Sequence, residues 1–385
     1  MVFMTKKIPI TVISGYLGAG KTTLILHLLK CKMDKRVGII VNDLAAINVD
    51  HKTIVNSPYF SEADRIIPIS DGTISTSHRQ KLVDALYDLA TSDEIDLILV
   101  ESSGVVQPDV VAASIVKGKT STTQELKSVC YLDTNVTIVD GFRILQQFLP
   151  GQGEYNQDFV ASNQLIVNQI EFCDVLLFNK IDLLTLEQKN YLQEIVRQMQ
   201  PTAQFYETKF SQIAVNKVLQ THLFNAKKSL DELNLSDPLR LLNHAHETQF
   251  KINSFVYRRR CPFHPQRFNS WLDHWPPEIT RCKGVMWLKT QPARVFTISQ
   301  SGRAMDIIPS GYWIATLQEW EIKKMFTVRK NLAAIWDKEF GDRMIELVFI
   351  GQNMNKDQIM HDLDTCLYQS NEPIDDVNDP FKLKH

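Results

Sequence analysis

Ile8 to Thr23 reads IPITVISGYLGAGKTT, and its order of elements decides the fold. The residues from Ile8 to Ser14 are apolar and β-branched, the composition of a buried strand. GYLGAGKT follows from Gly15 to Thr22 and satisfies G-x-x-x-x-G-K-[ST], and the next run, TLILHLLK, reads as a helix. Strand, glycine loop and helix in that order form the context a phosphate-binding loop requires. Gly15, Gly18 and Gly20 let the backbone turn tightly and aim its N–H groups inward. Ala19 and Thr23 complete the candidate binding stretch. The helix that begins near Lys21 adds its positive dipole end. Lys21 reaches the β- and γ-phosphates, and the Thr22 hydroxyl suits Mg²⁺, a hard cation that prefers oxygen.

The rest of the composition narrows the class. A chain of 385 residues exceeds one ordinary domain and predicts two. A hydrophobic content of 44% with 22% charged residues describes a soluble globular protein. The net charge of −2 gives no support for nucleic-acid binding. Cys31, Cys130, Cys173, Cys261, Cys282 and Cys366 are scattered without a C-x-x-C, which argues against a disulfide framework and fits a reducing cytoplasm. The opening MVFMTKKIP lacks a signal-peptide apolar region, and no run approaches the roughly 20 apolar residues that cross a bilayer. A cytoplasmic protein with no membrane segment is expected.

Further along, VGIIVND (Val37 to Asp43), IDLILVESSG (Ile95 to Gly104), NVTIVDG (135–141) and DVLLFNKID (174–182) repeat one design, an apolar strand with polar residues at its end. Asn56 to Ser77 reads as irregular, and KLVDALYDLA after it as an amphipathic helix. Short apolar strands alternating with helical patterns predict an α/β fold, a doubly wound and mostly parallel sheet with helices on both faces. Such sheets bind ligands at the carboxyl ends of their strands, and here those ends carry GYLGAGKT, ND, ESSG, VD and NKID. Pro201 stops a helix from Leu186 to Gln200, and AQFYET is a possible last strand. The expected division is a phosphate-loop domain over 1–224, a linker over 225–250, a smaller α+β domain over 251–370 and a tail over 371–385. In the second domain KINSFVYRRR, CKGVMWLKT, RVFTISQSG, MDIIPSGYW and RMIELVFIGQ read as strands, PQRFNSWLDHW and NKDQIMHDLDTCLYQ as helices. That order suggests an antiparallel sheet with helices on one face.

Three clusters at strand ends carry candidate chemistry. Asn179 to Asp182, NKID, matches N-K-x-D. The Asp182 carboxylate can accept from both N1–H and the N2 amino group of guanine, a donor pair adenine lacks. Asn179 can contact N7, and the Lys180 stem can cover the base. In ESSG, Glu101 takes the acidic position of D-x-x-G and serves either Mg²⁺ or the attacking water, while Gly104 offers its N–H to the γ-phosphate. Asp43 either joins the Mg²⁺ shell or caps a turn. Asp140 reads as structural.

Together GYLGAGKTT, the ND after the second strand, ESSG and NKID resemble the CobW-like family of P-loop GTPases, associated with zinc, cobalt and other transition metals. SFVYRRRCPFHPQRFNSWLD, KGVMW and FGDRMIELVFIG are similar to that family's C-terminal domain, particularly in its zinc-limitation branch. The resemblance covers about Ile8 to Tyr368. It implies GTP and GDP with Mg²⁺ as ligands, a metal-homeostasis setting, and a client metalloprotein docked through the C-terminal domain in a GTP-dependent way.

One family element is altered. G-C-x-C-C-[ST]-[LI]-R usually lies between the second and third strands, with thiolates suited to a borderline-soft metal. Here the stretch is Gly72-Thr73-Ile74-Ser75-Thr76-Ser77-His78-Arg79, with hydroxyl residues at the cysteine positions Thr73, Ser75 and Thr76. Hydroxyls ionise far above neutral pH and are poor zinc ligands, so no transition-metal site is expected at 72–79. A glutamate that family members often place after the ND pair is Ala46 here. His78, and His244 with His246 in H-x-H, do not restore a full ligand set. Cys31 and Cys173 read as core residues.

The expected activity is therefore GTP hydrolysis with Mg²⁺ at a low intrinsic rate, with Lys21 stabilising charge and Glu101 assisting Mg²⁺ or the water. A GTP-gated adaptor with negligible hydrolysis and an ATP-dependent P-loop enzyme are the competing readings.

Overall fold

The computed structural model describes residues 7–32, 34–42, 49–69, 76–92, 94–104, 106–148, 157–225, 251–302, 304–328, 332–370, 372–373 and 378–382. They divide into two compact units, drawn from 1–147 with 161–235 and from 148–160 with 236–385. The first unit holds, apart from Phe148 and 157–160, β1 (Ile8–Ser14), α1 (Lys21–Lys30), β2 (Val37–Asn42), α2 (Val49–Val55), β3 (Arg65–Ile69), α3 (Thr76–Thr91), β4 (Leu97–Glu101), α4 (Pro108–Lys117), β5 (Cys130–Asp140), α5 (Gly141–Phe148), α6 (Gln157–Phe172), β6 (Val175–Asn179), α7 (Leu186–Met199) and β7 (Gln204–Glu207). Its strands form one sheet in the order β3-β2-β4-β1-β5-β6-β7, every pairing parallel.

Side-chain alternation explains the layers. Every residue of β1 is buried. Ile8, Ile10 and Val12 join Leu82, Leu86 and Leu89 of α3 and Val111, Ala112 and Ile115 of α4 on one face. Ile13 turns the other way and joins Leu24, Ile25 and Leu28 of α1. Each such fully buried aliphatic side chain contributes roughly 1.5–3 kcal/mol, which is what holds a two-faced sheet between helices. The doubly wound α/β expectation is met.

One element departs from the sequence reading. Residues 65–69, inside the stretch read as irregular, form β3 at the edge of the sheet. Pro68 breaks the strand signal because it lacks an N–H, and an edge strand tolerates that loss.

The second unit holds β8 (Ile252–Arg259), α8 (Pro265–Asp273), β9 (Ile279–Met286), β10 (Arg294–Ser301), β11 (Ala304–Tyr312), α9 (Glu319–Val328), α10 (Leu332–Ile335), β12 (Ile345–Gln352) and α11 (Lys356–Thr365). Its antiparallel sheet runs β11-β10-β9-β12-β8. Phe268 of α8 and Ile359 and Leu363 of α11 pack with Phe255, Tyr257, Leu347 and Phe349 of the strands in one core. Among the described residues no helix is long and apolar enough to cross a membrane.

Candidate functional site

The loop after β1 is shaped by contacts no side chain would survive. Gly15 has φ +147°, and a Cβ there would lie 2.3 Å from the Ile138 carbonyl oxygen of β5. Gly20 has φ +116°, and a Cβ would meet Asn179 Nδ2 at 2.6 Å and Ser211 Oγ at 2.7 Å. The β5 backbone therefore closes on the loop from one side, and side chains at the end of β6 and just beyond β7 close on it from the other. Lys21 opens α1 and donates its Nζ to the Gly15 carbonyl at 3.0 Å, folding back over the loop that precedes it. Gly18 has φ +77° and open space around it, and Thr23 stands exposed in the first turn of α1.

The Thr22 hydroxyl donates to Asp50 Oδ1 at 2.7 Å, with Glu101 Oε1 a further acceptor at 3.3 Å. Glu101 is buried at the end of β4 and Asp50 sits in the first turn of α2. One hydroxyl and two carboxylates thus converge beside Lys21, an all-oxygen donor set of the kind Mg²⁺ prefers. Gly104 lies against the phosphate loop, since a Cβ there would come within 2.9 Å of the Leu17 backbone nitrogen.

Asn179, the residue expected to contact N7 of a base, is held within the protein by four hydrogen bonds. Its Nδ2 donates to the Ala19 carbonyl at 2.8 Å and to Ser211 Oγ at 3.1 Å. Its Oδ1 accepts from Thr208 Oγ1 at 3.2 Å and from the Ser211 N–H at 3.0 Å. Both amide hydrogens and both oxygen lone pairs have partners inside the protein. Ser211 Oγ passes the chain on, donating to the Gly20 carbonyl at 3.0 Å. Lys180, at φ +60°, reaches Asp140 with its Nζ 2.6 Å from Oδ2. Asp182 is exposed beyond it, with no side-chain partner among the described residues. Leu183 beside it is 56% exposed, and Phe210 beside Ser211 is 64% exposed.

Lys21, Thr22, Ala19 and Glu101 are thus brought together, with Gly104 against the same loop and Asn179 bracing it. Asp43, Ala46 and 72–75 lie outside the described residues, as do His244 and His246, and nothing is described of the side chains of Thr76, Ser77 and His78. Sequence reasoning missed Asp50, Thr208 and Ser211. Asp50 carries no local signal, because only the fold brings it 28 residues back to Thr22. Thr208 and Ser211 were within reach, since they follow the carboxyl end of β7, where a parallel sheet gathers ligand groups. Among the described residues no cluster of three or more His, Cys, Asp or Glu is arranged to hold a metal ion. Burial pushes the Cys130 thiol up to about 12 and raises those of Cys282, Cys366 and Cys261 as well, so these sulfurs stay protonated near neutrality.

A parallel α/β sheet with a glycine loop, a helix-opening Lys-Thr pair and facing carboxylates defines a P-loop nucleotide-binding protein. The chain belongs to the CobW/HypB/UreG family: residues 9–207 match its nucleotide-binding domain, and residues 252–367 match the cobalamin synthesis protein cobW C-terminal domain. It is 30% identical over 381 residues to zinc-regulated GTPase metalloprotein activator 1 of Dictyostelium discoideum, covering 94% of this chain and 80% of that one. It is 23% identical over 363 residues to the zinc chaperone YjiA of Escherichia coli, covering 91% and 96%. The crystal structure of Zn(II)-bound YjiA GTPase from E. coli covers 94% of this chain and all of its own, at 18% identity and a TM-score of 0.41.

Proposed function

We propose that this chain binds GTP with Mg²⁺, cleaves it at a low intrinsic rate to GDP and phosphate, and uses that cycle to control a client metalloprotein in zinc or cobalt homeostasis in the cytoplasm. The observation that carries the reading is the convergence of Lys21, Thr22, Asp50 and Glu101 on one loop that Asn179 and Ser211 brace.

The loop amides and Lys21 bind the β- and γ-phosphates, and Lys21 stabilises charge that builds on the oxygen bridging them. Thr22 would hold Mg²⁺ directly, with Asp50 and Glu101 as its carboxylate neighbours; when bound, the cation neutralises charge on the phosphate oxygens. Glu101 either orients those ligands or positions the attacking water. Asp182 would accept from guanine N1–H and N2, and the exposed Leu183 next to it in sequence offers apolar surface on which a purine can lie. The C-terminal domain is the proposed client surface, supported by the metalloprotein-activator name of the Dictyostelium relative. With hydroxyl residues at Thr73, Ser75 and Thr76, the metal is not carried at 72–79 in this proposal.

Single-turnover cleavage of GTP with Mg²⁺, run beside Lys21→Ala, tests the enzyme reading; cleavage that persists unchanged in the variant defeats it, and absence of cleavage in the parent chain points to an adaptor. Competition between GTP and ATP tests the role of Asp182, and a preference for ATP overturns it. Zinc and cobalt titrations with and without GTP test the metal statement, which tight binding at 72–79 would refute.

A further inference from the structure

Arg143 belongs to the first turn of α5, immediately beyond the carboxyl end of β5. β5 lies against β1, with Ser14 opposite Thr137, so that turn stands beside the loop that follows β1. The Arg143 guanidinium carbon lies 4.1 Å from the centre of the Tyr16 ring, and Tyr16 is the second residue of the phosphate loop. Arg143 has no ion pair among the described residues. The nearest acidic side chain in sequence, Asp140, is already engaged: one oxygen takes Lys180 at 2.6 Å, and the other accepts the Arg143 backbone N–H at 3.2 Å.

This is an unfavourable place for a cation. The first turn of a helix is its positive dipole end, where a carboxylate stabilises and a guanidinium does not. An arginine held there on an aromatic face, with no ion pair to a described residue, is in position for an anion supplied from outside the chain. The phosphate loop under Tyr16 is where such an anion would arrive. Mg²⁺ and Lys21 leave the charge of a nucleoside triphosphate incompletely neutralised, and charge builds on the oxygen bridging the β- and γ-phosphates as the terminal phosphoryl group passes to water.

We propose that Arg143 is an arginine supplied in cis to the terminal phosphate, with Tyr16 as the face that holds it ready. This rests on the GTP reading above. The group donates hydrogen bonds and charge only, so the reaction remains the attack of water on the γ-phosphorus with cleavage of its bond to the oxygen bridging it to the β-phosphorus, giving GDP and phosphate.

The experiment compares the full chain with Arg143→Ala, Arg143→Lys and Tyr16→Leu. Equilibrium binding of fluorescent GDP and of a fluorescent non-hydrolysable GTP analogue is measured first, then single-turnover GTP cleavage at saturation. The expected result is GDP affinity within about twofold of the parent, with analogue affinity or cleavage reduced at least about tenfold in Arg143→Ala. Arg143→Lys restores part of the loss, and Tyr16→Leu gives an intermediate one. Unchanged analogue affinity and cleavage in Arg143→Ala overturn the proposal. Equal loss of GDP and analogue affinity in a folded Arg143→Ala also overturns it, because Arg143 would then only shape the loop. Failure of the parent chain to bind either nucleotide refutes the GTP reading itself, a distinguishable outcome.

Discussion

Asn179 and Ser211 hold each other by two hydrogen bonds, Nδ2 to Oγ at 3.1 Å and backbone N–H to Oδ1 at 3.0 Å, and together they grip the carbonyls of Ala19 and Gly20. These bonds tie the end of β6 and the segment after β7 to the phosphate loop. Asn179→Ala would strand several buried polar groups, with an expected loss of about 3 kcal/mol in stability and a matching fall in nucleotide affinity. Ser211→Ala should lose roughly 1 kcal/mol. Urea unfolding with and without GDP measures both, and a fully stable Asn179→Ala would show that the brace is dispensable.

Asp50 predicts a metal phenotype. Asp50→Asn keeps the size of the side chain but removes the charge 2.7 Å from the Thr22 hydroxyl. The Mg²⁺ concentration that half-retains bound nucleotide should rise about tenfold, with little change when Mg²⁺ is chelated. A Mg²⁺ titration of GDP release reads this directly. An unaltered midpoint would leave Asp50 as a favourable charge in the first turn of α2 and nothing more.

Acid should weaken the first unit through Asp64. Burial alone would raise the pKa of its carboxyl, but hydrogen bonds from Lys32, from the Ser61 and Val37 N–H groups and from the Ser61 hydroxyl outweigh burial and hold it below the usual value. The unfolded chain, titrating near about 4, then binds the proton more readily than the folded one. The stabilisation is present above that value and lost as the pH falls through the lower, folded one. Urea midpoints should therefore drop more steeply between about pH 5 and 2 for the parent than for Asp64→Asn. Parallel curves would contradict the assignment.

Thiol labelling tests the cysteines. Cys130, Cys173, Cys282 and Cys366 are each no more than 4% exposed, whereas Cys31 and Cys261 are partly exposed. A disulfide exchange reagent at neutral pH should modify Cys31 within minutes, Cys261 more slowly because burial raises its thiol, and the buried thiols only after unfolding. Rapid modification of all six cysteines would contradict the burial of the other four.

Much of this molecule is legible in its residues. The apolar strands with polar ends announce a parallel sheet, and G-x-x-x-x-G-K-T announces the loop, because both patterns are short-range consequences of backbone geometry. What sequence does not show is how side chains are used up. The NKID pattern is visible, but whether Asn179 faces a ligand or the protein depends on Ser211, and no local rule links them. Asp50 is hidden for the same reason. β3 is obscured by Pro68, whose meaning changes once the strand is known to be an edge.

The brace has a consequence for the order in which the molecule can be completed. Asn179 follows the Ala19 carbonyl it holds by 160 residues, and Ser211 follows Gly20 by 191. On the ribosome, the phosphate loop emerges early and waits while most of the first unit is translated. Its grip on nucleotide should mature abruptly once the segment after β7 has left the exit tunnel. Nascent chains stalled before residue 204 would carry an intact glycine motif that binds nucleotide poorly, whereas chains stalled well after residue 225 would bind it well.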